Sequence, residues 1–236
     1  MKLSEAIGLQ SYNRKMIISF SGGGGKTSSI YTLAYELAET GKKVLITTTT
    51  AMYNPVGINH SNIIVLGDHV TPEGKLKGIS KERANDIFKE ECYDFILVEA
   101  DGSRGRPIKA PAEHEPQVPE ATDILIGVIG IDAYGQAVSS SYVHRPEILA
   151  ELTGTGMEGI IDDQVIIELA SKPNGLFKNC PSKAVKILLM NKAISDSTRK
   201  TALKVGNQVL KKCDHIDRVM IGAVQEDEPV KELLHR

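Results

Sequence analysis

Four glycines in succession, Gly22 to Gly25, follow an apolar run and precede Lys26-Thr27 and an amphipathic stretch. Inside a regular helix or strand such a run would be costly, because glycine loses more backbone freedom on ordering than any other residue. Its use lies elsewhere: with no Cβ, the chain can take positive φ and approach another group closely. On one side lies the apolar run 16–20. On the other, Ile30, Leu33, Ala34, Leu37 and Ala38 recur at helical spacing, with Gly41 where a C-terminal cap is expected. The glycines therefore read as the joint of a strand–turn–helix unit.

The same alternation continues along the chain. Short apolar runs at 44–48, 63–66, 95–98, 124–129, 187–190 and 219–224 read as strands buried on both faces. Amphipathic segments at 81–92, 162–171 and 196–213 read as helices. This predicts an α/β fold, a mostly parallel doubly wound sheet with helices on both faces, formed as a single domain over 1–236. The segment 101–122 is too long for an ordinary connection and is a candidate functional loop.

A glycine turn feeding a helix N-terminus suits an anionic phosphate, because several backbone N–H groups and the helix dipole converge there. The string Ser21-Gly22-Gly23-Gly24-Gly25-Lys26-Thr27-Ser28 is thus a candidate P-loop for ATP or another nucleoside triphosphate, with the amides of Gly22 to Gly25 expected to converge on the polyphosphate. Lys26 would reach the β- and γ-phosphates, and the Thr27 hydroxyl would ligate Mg²⁺. The usual eight-residue pattern is broken, since Phe20 stands where its first glycine belongs. The loop is closer to the shortened form of ParA- and MinD-type ATPases, yet Ser21 occupies the place of their signature lysine.

The run Phe95-Ile96-Leu97-Val98 ends in Glu99-Ala100-Asp101. Ligands of parallel sheets sit beyond the carboxyl ends of strands, so Glu99 or Asp101 is expected at the metal, and one of them at the nucleophile. Lys26, Glu99, Asp101 and Arg104 are the candidate catalytic residues; Thr27, Glu99 and Asp101 are the candidate metal ligands. Arg106, Lys109, His114, His144 and Arg145 are candidates for contact with a transferring phosphate or an anionic substrate. Thr47 to Thr50 end a predicted strand near the same place. Asn191-Lys192 follows another strand and could line a base pocket, but Ile194 stands where the guanine-reading motif Asn-Lys-x-Asp needs its aspartate. An aliphatic side chain cannot accept the guanine hydrogens, so ATP is favoured over GTP.

Composition narrows the partners. A formal net charge of -2 gives no broad attraction to nucleic acid or anionic membrane. No run approaches the roughly 20 apolar residues that span a bilayer, and no leader is read at the N-terminus, so a cytoplasmic protein is expected. Cys92, Cys180 and Cys213 are widely spaced and form no CxxC pair, which points to neither a disulfide framework nor a zinc site.

The segments SGGGGKTS, VLITTTTAMYNP, LVEADGSRGRPIKAPAEHEPQVP, HRPEIL and NGLFKNCP, in that order between Ser21 and Pro181, resemble the YqeC family. These are accessory proteins for selenium-dependent molybdenum hydroxylases. The resemblance implies a P-loop NTPase fold, ATP or another NTP with Mg²⁺, and a part in maturing a selenium- and molybdopterin-containing cofactor, with a molybdenum hydroxylase as partner. Two kinds of activity stay open: an enzyme that hydrolyses NTP or transfers a phosphoryl or nucleotidyl group, and a nucleotide-gated module that delivers a cofactor. A small-molecule ligase or kinase is a third, although the chain has little room for the extra domains such enzymes use.

Overall fold

Each apolar run of the sequence becomes a strand of one sheet. The computed structural model describes residues 1–53 and 58–236; Asn54 and Pro55, which close one family segment, lie outside the described residues. In chain order the elements begin with α1 (Leu3–Ile7), β1 (Met16–Gly22), α2 (Lys26–Glu39), β2 (Val44–Thr48) and β3 (Ala51–Tyr53). They continue with β4 (Ile63–Leu66), β5 (His69–Val70), β6 (Lys75–Lys77), α3 (Lys81–Lys89), β7 (Phe95–Glu99) and β8 (Ile108–Lys109). Then come β9 (Thr122–Gly130), β10 (Val143–His144), α4 (Pro146–Thr153) and α5 (Asp163–Ser171). The chain closes with β11 (Val185–Asn191), α6 (Asp196–Lys212), β12 (Arg218–Gly222) and β13 (Val230–His235).

The main sheet runs β13-β12-β11-β9-β1-β7-β2-β4. Every neighbouring pair is parallel except β12 and β13. All residues of β1 are buried, as a strand covered on both faces requires. Its side chains alternate: Met16, Ile18 and Phe20 pack with Leu3, Leu33 and Leu37 of α1 and α2, while Ile17 joins Ile87 of α3 on the other face. Farther along that other face, Leu188, Met190, Val219 and Ile221 pack with α5 and α6. Helices therefore cover both faces of a mostly parallel sheet, as the alternating pattern predicts.

Helix α2 ends in a Schellman motif. Gly41 is left-handed at φ 83, its N–H donates to Ala38 O, and Lys42 N–H donates to Leu37 O. The opposite end of α2 is left open: its N-cap is Gly25, with no side-chain cap and no acid in the first turn.

Several elements were not expected, the short helix α1 among them. Residues 230–235 form the antiparallel edge strand β13. Residues 146–153 form α4, started by Pro146, whose missing N–H and fixed φ suit a first helical position. Residues 51–77 include a small antiparallel sheet, β3-β6-β5, beside the end of β2. Gly78 fixes it there: Gly78 N–H donates to Thr50 O, and a Cβ on Gly78 would lie 2.1 Å from Thr48 O. The long 101–122 segment holds only β8, which pairs in parallel with β10 and so brings Lys109 beside His144.

Candidate functional site

The glycine loop is held from below, and this decides which amides remain available. Gly22 N–H donates to Asp101 Oδ2 (3.1 Å), Gly23 N–H to Val128 O (2.9 Å) and Gly24 N–H to Arg106 O (3.0 Å). Gly24, at φ 75, rests so close to β9 that a Cβ would meet Gly130 N at 2.2 Å. The expectation that all four glycine amides converge on one anion is corrected. Strand β1 runs on to Gly22, so the loop begins as an extension of the sheet ladder and three of its amides are spent inside the protein. The amides of Gly25, Lys26, Thr27 and Ser28 have no acceptor among the described residues. They are the open first turn of α2, and they border a cavity of about 520 Å³.

Thr27 and Glu99 meet at the floor of that cavity, where Thr27 Oγ1 donates to Glu99 Oε2 at 2.7 Å. Burial pushes the Glu99 carboxyl above its usual range, against the pull of the Lys26 charge. Asp101, two residues on, turns the other way. It is buried, accepts the Gly22 N–H, and lies 3.2 Å from both Lys26 Nζ and Lys109 Nζ. Lys109 in turn sits 3.0 Å from Glu115, and Glu115 is bonded to Arg145. Although close, the contacts of Asp101 Oδ1 and Lys109 Nζ lack the alignment of hydrogen bonds, so these are charge pairs rather than well-formed donor–acceptor pairs. Burial lowers the Lys109 ammonium; burial works to raise Glu115, but Lys109 and Arg145 together hold it below the usual carboxylate range.

Several expected roles change accordingly. Asp101 is a buried counter-ion under the loop, outside the cavity lining, so it is not placed as a metal ligand beside Glu99. Lys109 is enclosed and does not face a substrate. Lys26 lines the cavity, but its amine folds back to Gly22 O (2.6 Å) and Asp101. Asn191 lies beneath the loop rather than in a base pocket: its Nδ2 donates to Gly24 O (2.8 Å) and its Oδ1 accepts from Val224 N–H (3.0 Å). Ser21 Oγ donates to Leu176 O inside the protein. Arg106 and His114 are exposed and off the cavity.

Other candidates do reach it. Ser28, Arg104, His144, Arg145 and Lys192 line the cavity, Lys192 in an ion pair with Asp132 (2.8 Å). Burial, with the Arg145, Lys109 and Arg104 charges, pushes His144 down to about 4, so it is neutral near pH 7. Of the threonines, Thr47 and Thr48 bond to Leu66 O and Glu99 O, and Thr49 to Gln117 O. Of Thr47 to Thr50, only Thr50 lines the cavity, as Thr27 does. The wall formed by Tyr53, Lys75 and Lys77 was missed by sequence reasoning. Its one signal is Lys75-Leu76-Lys77, a polar–apolar–polar triplet beside a glycine turn.

Mg²⁺ would fit here on the chemistry of the donors. A hydroxyl and a carboxylate are hard oxygen ligands, and Mg²⁺ usually takes one or two such protein groups and completes its shell with phosphates and water. No cluster of three or more His, Cys, Asp or Glu suited to a metal occurs among the described residues. No helix among them is long and apolar enough to cross a membrane.

A central parallel strand, a glycine loop held close to its neighbours, and a helix whose open first turn borders a cavity define an α/β protein of the P-loop class. Within that class the chain belongs to the YqeC family, whose description, YqeC protein, matches residues 18–147. It is 33% identical to a protein of Escherichia coli (strain K12) named Uncharacterized protein YqeC, across 93% of this chain and 92% of that one. Two crystal structures of FtsY from Mycoplasma mycoides are more distantly similar, at 13% and 14% identity and TM-scores of 0.33 and 0.37. They cover 95% and 96% of this chain, which spans 65% and 64% of theirs.

Proposed function

We propose that the protein binds a nucleoside triphosphate with Mg²⁺ at the head of α2 and hydrolyses it or transfers a phosphoryl or nucleotidyl group. One observation carries the reading: four successive backbone amides, Gly25 to Ser28, lack acceptors among the described residues and border a cavity beside the bonded pair Thr27–Glu99. Amides at a helix N-terminus hold phosphate oxygens and stabilise charge that builds on them. When bound, Mg²⁺ would supply charge neutralisation on the phosphates, held by Thr27 and Glu99. Lys26 would exchange Gly22 O and Asp101 for phosphate oxygens. ATP is favoured over GTP, because Ile194 replaces the guanine-reading aspartate and both amide atoms of Asn191 are engaged by backbone.

The test is calorimetric titration of ATP with and without Mg²⁺ on the wild type, Lys26→Ala and Thr27→Ala. The wild type should bind ATP·Mg²⁺; Lys26→Ala should lose binding and turnover, and Thr27→Ala should lose most of the Mg²⁺ dependence. No binding of ATP·Mg²⁺ to the folded wild type would overturn the proposal. The family resemblance supports a biological setting in a single cytoplasmic domain: maturation of a selenium- and molybdopterin-containing cofactor for a molybdenum hydroxylase. Equal activity of such a hydroxylase in cells with and without this protein would argue against that setting.

A second reading, a nucleotide-gated module, is favoured by the chain of charges Lys26–Asp101–Lys109–Glu115–Arg145, which ties the P-loop lysine to the 101–122 segment. Drawing Lys26 toward phosphate would release one partner of Asp101 and bias that segment. Hydrogen exchange over 101–122 should then differ between ATP-analogue, ADP and nucleotide-free protein. Identical protection in all three would exclude the gate.

A further inference from the structure

The cavity is lined on both sides of the glycine loop. At the carboxyl edge of the sheet the order is β11, β9, β1, β7, β2, so Lys192 lies on one side of the P-loop and Glu99, then Thr50, on the other. With Thr27 and Glu99 holding the metal, the terminal phosphates would lie on the β7 side and the nucleoside would extend toward Lys192. Beyond Glu99 the cavity continues to the end of β2, where the β3–β6 pair and the turn 102–105 close it.

Alternation along β6 aims two lysines at this space. Leu76 is buried in the core, so Lys75 and Lys77, one residue to either side, face the opposite way and line the cavity. Their partners across the ladder, Tyr53 and Ala51, line it too, and Lys75 Nζ stands 5.6 Å from the Tyr53 ring centre. Arg104 reaches the same space from the 102–105 turn, on a left-handed residue at φ 51. None of Lys75, Lys77 or Arg104 is ion-paired among the described residues, although the chain carries 30 Asp and Glu against 28 Lys and Arg. Clustered cations in a cleft repel one another and focus a positive potential, which an anion relieves.

We infer that this end of the cavity is a second anion subsite, built by Lys75, Lys77 and Arg104, and that it holds the phosphate group of a phosphorylated small-molecule acceptor. Three cations from two separate segments match a phosphate dianion better than a single carboxylate. The inference rests on the nucleotide reading and names the substrate class of that site. The two lysines stand on the small β3-β6-β5 sheet, which Gly78 holds close to the end of β2.

The probe is phenyl phosphate, titrated calorimetrically into protein already saturated with Mg²⁺ and a non-hydrolysable ATP analogue, so that the P-loop is filled. The wild type should bind one molecule saturably. The double variant Lys75→Gln, Lys77→Gln should bind it about tenfold more weakly or worse, while keeping its affinity for the analogue within about twofold. Both side chains reach solvent at the cavity, so the variant should fold, and a thermal melt checks this. Absent binding of phenyl phosphate, or binding unaffected by the double substitution, overturns the subsite. Benzoate binding as tightly as phenyl phosphate overturns the phosphate assignment in favour of a carboxylate acceptor. If the analogue itself does not bind, the nucleotide reading falls first and the acceptor subsite with it.

Discussion

Glu99 and Asp101 leave the end of β7 two residues apart and enter opposite surroundings. Glu99 faces the cavity with one hydroxyl partner, and burial makes its negative charge unfavourable. Asp101 faces inward, where two ammonium groups and an amide compensate its charge. The first arrangement leaves a carboxyl group whose negative charge is poorly compensated. The second fixes the loop from beneath. The contrast teaches that acidity at a strand end is not itself functional; direction is.

Asp101→Ala gives the strongest way to break this comparison. It leaves Lys26 and Lys109 buried without their shared counter-ion and should cost about 3–5 kcal/mol in urea unfolding. A loss below about 1 kcal/mol would mean that the cluster is not what holds the loop. Glu99→Gln should act in the opposite sense on stability. Because its folded pKa is raised, the native state keeps a proton over a window where the unfolded chain has lost it, so stability falls as pH rises through that window. Glu99→Gln should therefore match or exceed wild-type stability at neutral pH, while NTP turnover falls roughly 100-fold. Unchanged Mg²⁺-dependent turnover would take Glu99 out of the site.

Asn191→Ala should have a smaller effect, about 1–3 kcal/mol, by stranding Gly24 C=O and Val224 N–H. If Asn191 read a base instead, stability would hold and only nucleotide selectivity would change. The mildest effect concerns His144. Its folded pKa of about 4 lies below the ordinary 6.5, so the unfolded chain takes up the extra proton between those values and stability falls as pH drops from 6.5 toward 4. His144→Asn should flatten the stability profile across that window, measured by thermal melts at a series of pH values. An unchanged profile would show that His144 is charged like an ordinary surface histidine.

Much of the fold is legible in the sequence because it is written in local periods. The runs 44–48 and 63–66 match β2 and β4 to the residue, and the stripe from Ile30 to Ala38 lies within α2. Edge and short elements escape this reading. In β13, Val230 is buried while Glu232 and His235 are exposed, so the strand shows no continuous apolar run. The helix α4 has only eight residues, too few for a period to stand out. In the site, Lys26, Thr27, Ser28, Glu99, Arg104, His144, Arg145 and Lys192 are found at the cavity, whereas Ser21, Asp101, Arg106, Lys109, His114 and Asn191 are not. Each residue type was right for phosphate chemistry, but nothing local says whether a side chain near a strand end, as in Ser21, Lys109 and Asn191, or in a loop, as in Asp101, Arg106 and His114, meets the cavity or a partner inside the protein.

The order of residues alone determined the strand–glycine–helix unit, the parallel sheet around it and the family, since backbone preference and apolar spacing act over a few residues. Tertiary structure decided which four amides stay open, which of two acids meets Thr27, and which cations are spent inside the protein. Those outcomes depend on partners far away in the chain: Val128 for Gly23, Asp101 for Lys26, Asn191 for Gly24. A charge or an amide is available to a ligand only where folding has not already given it a neighbour.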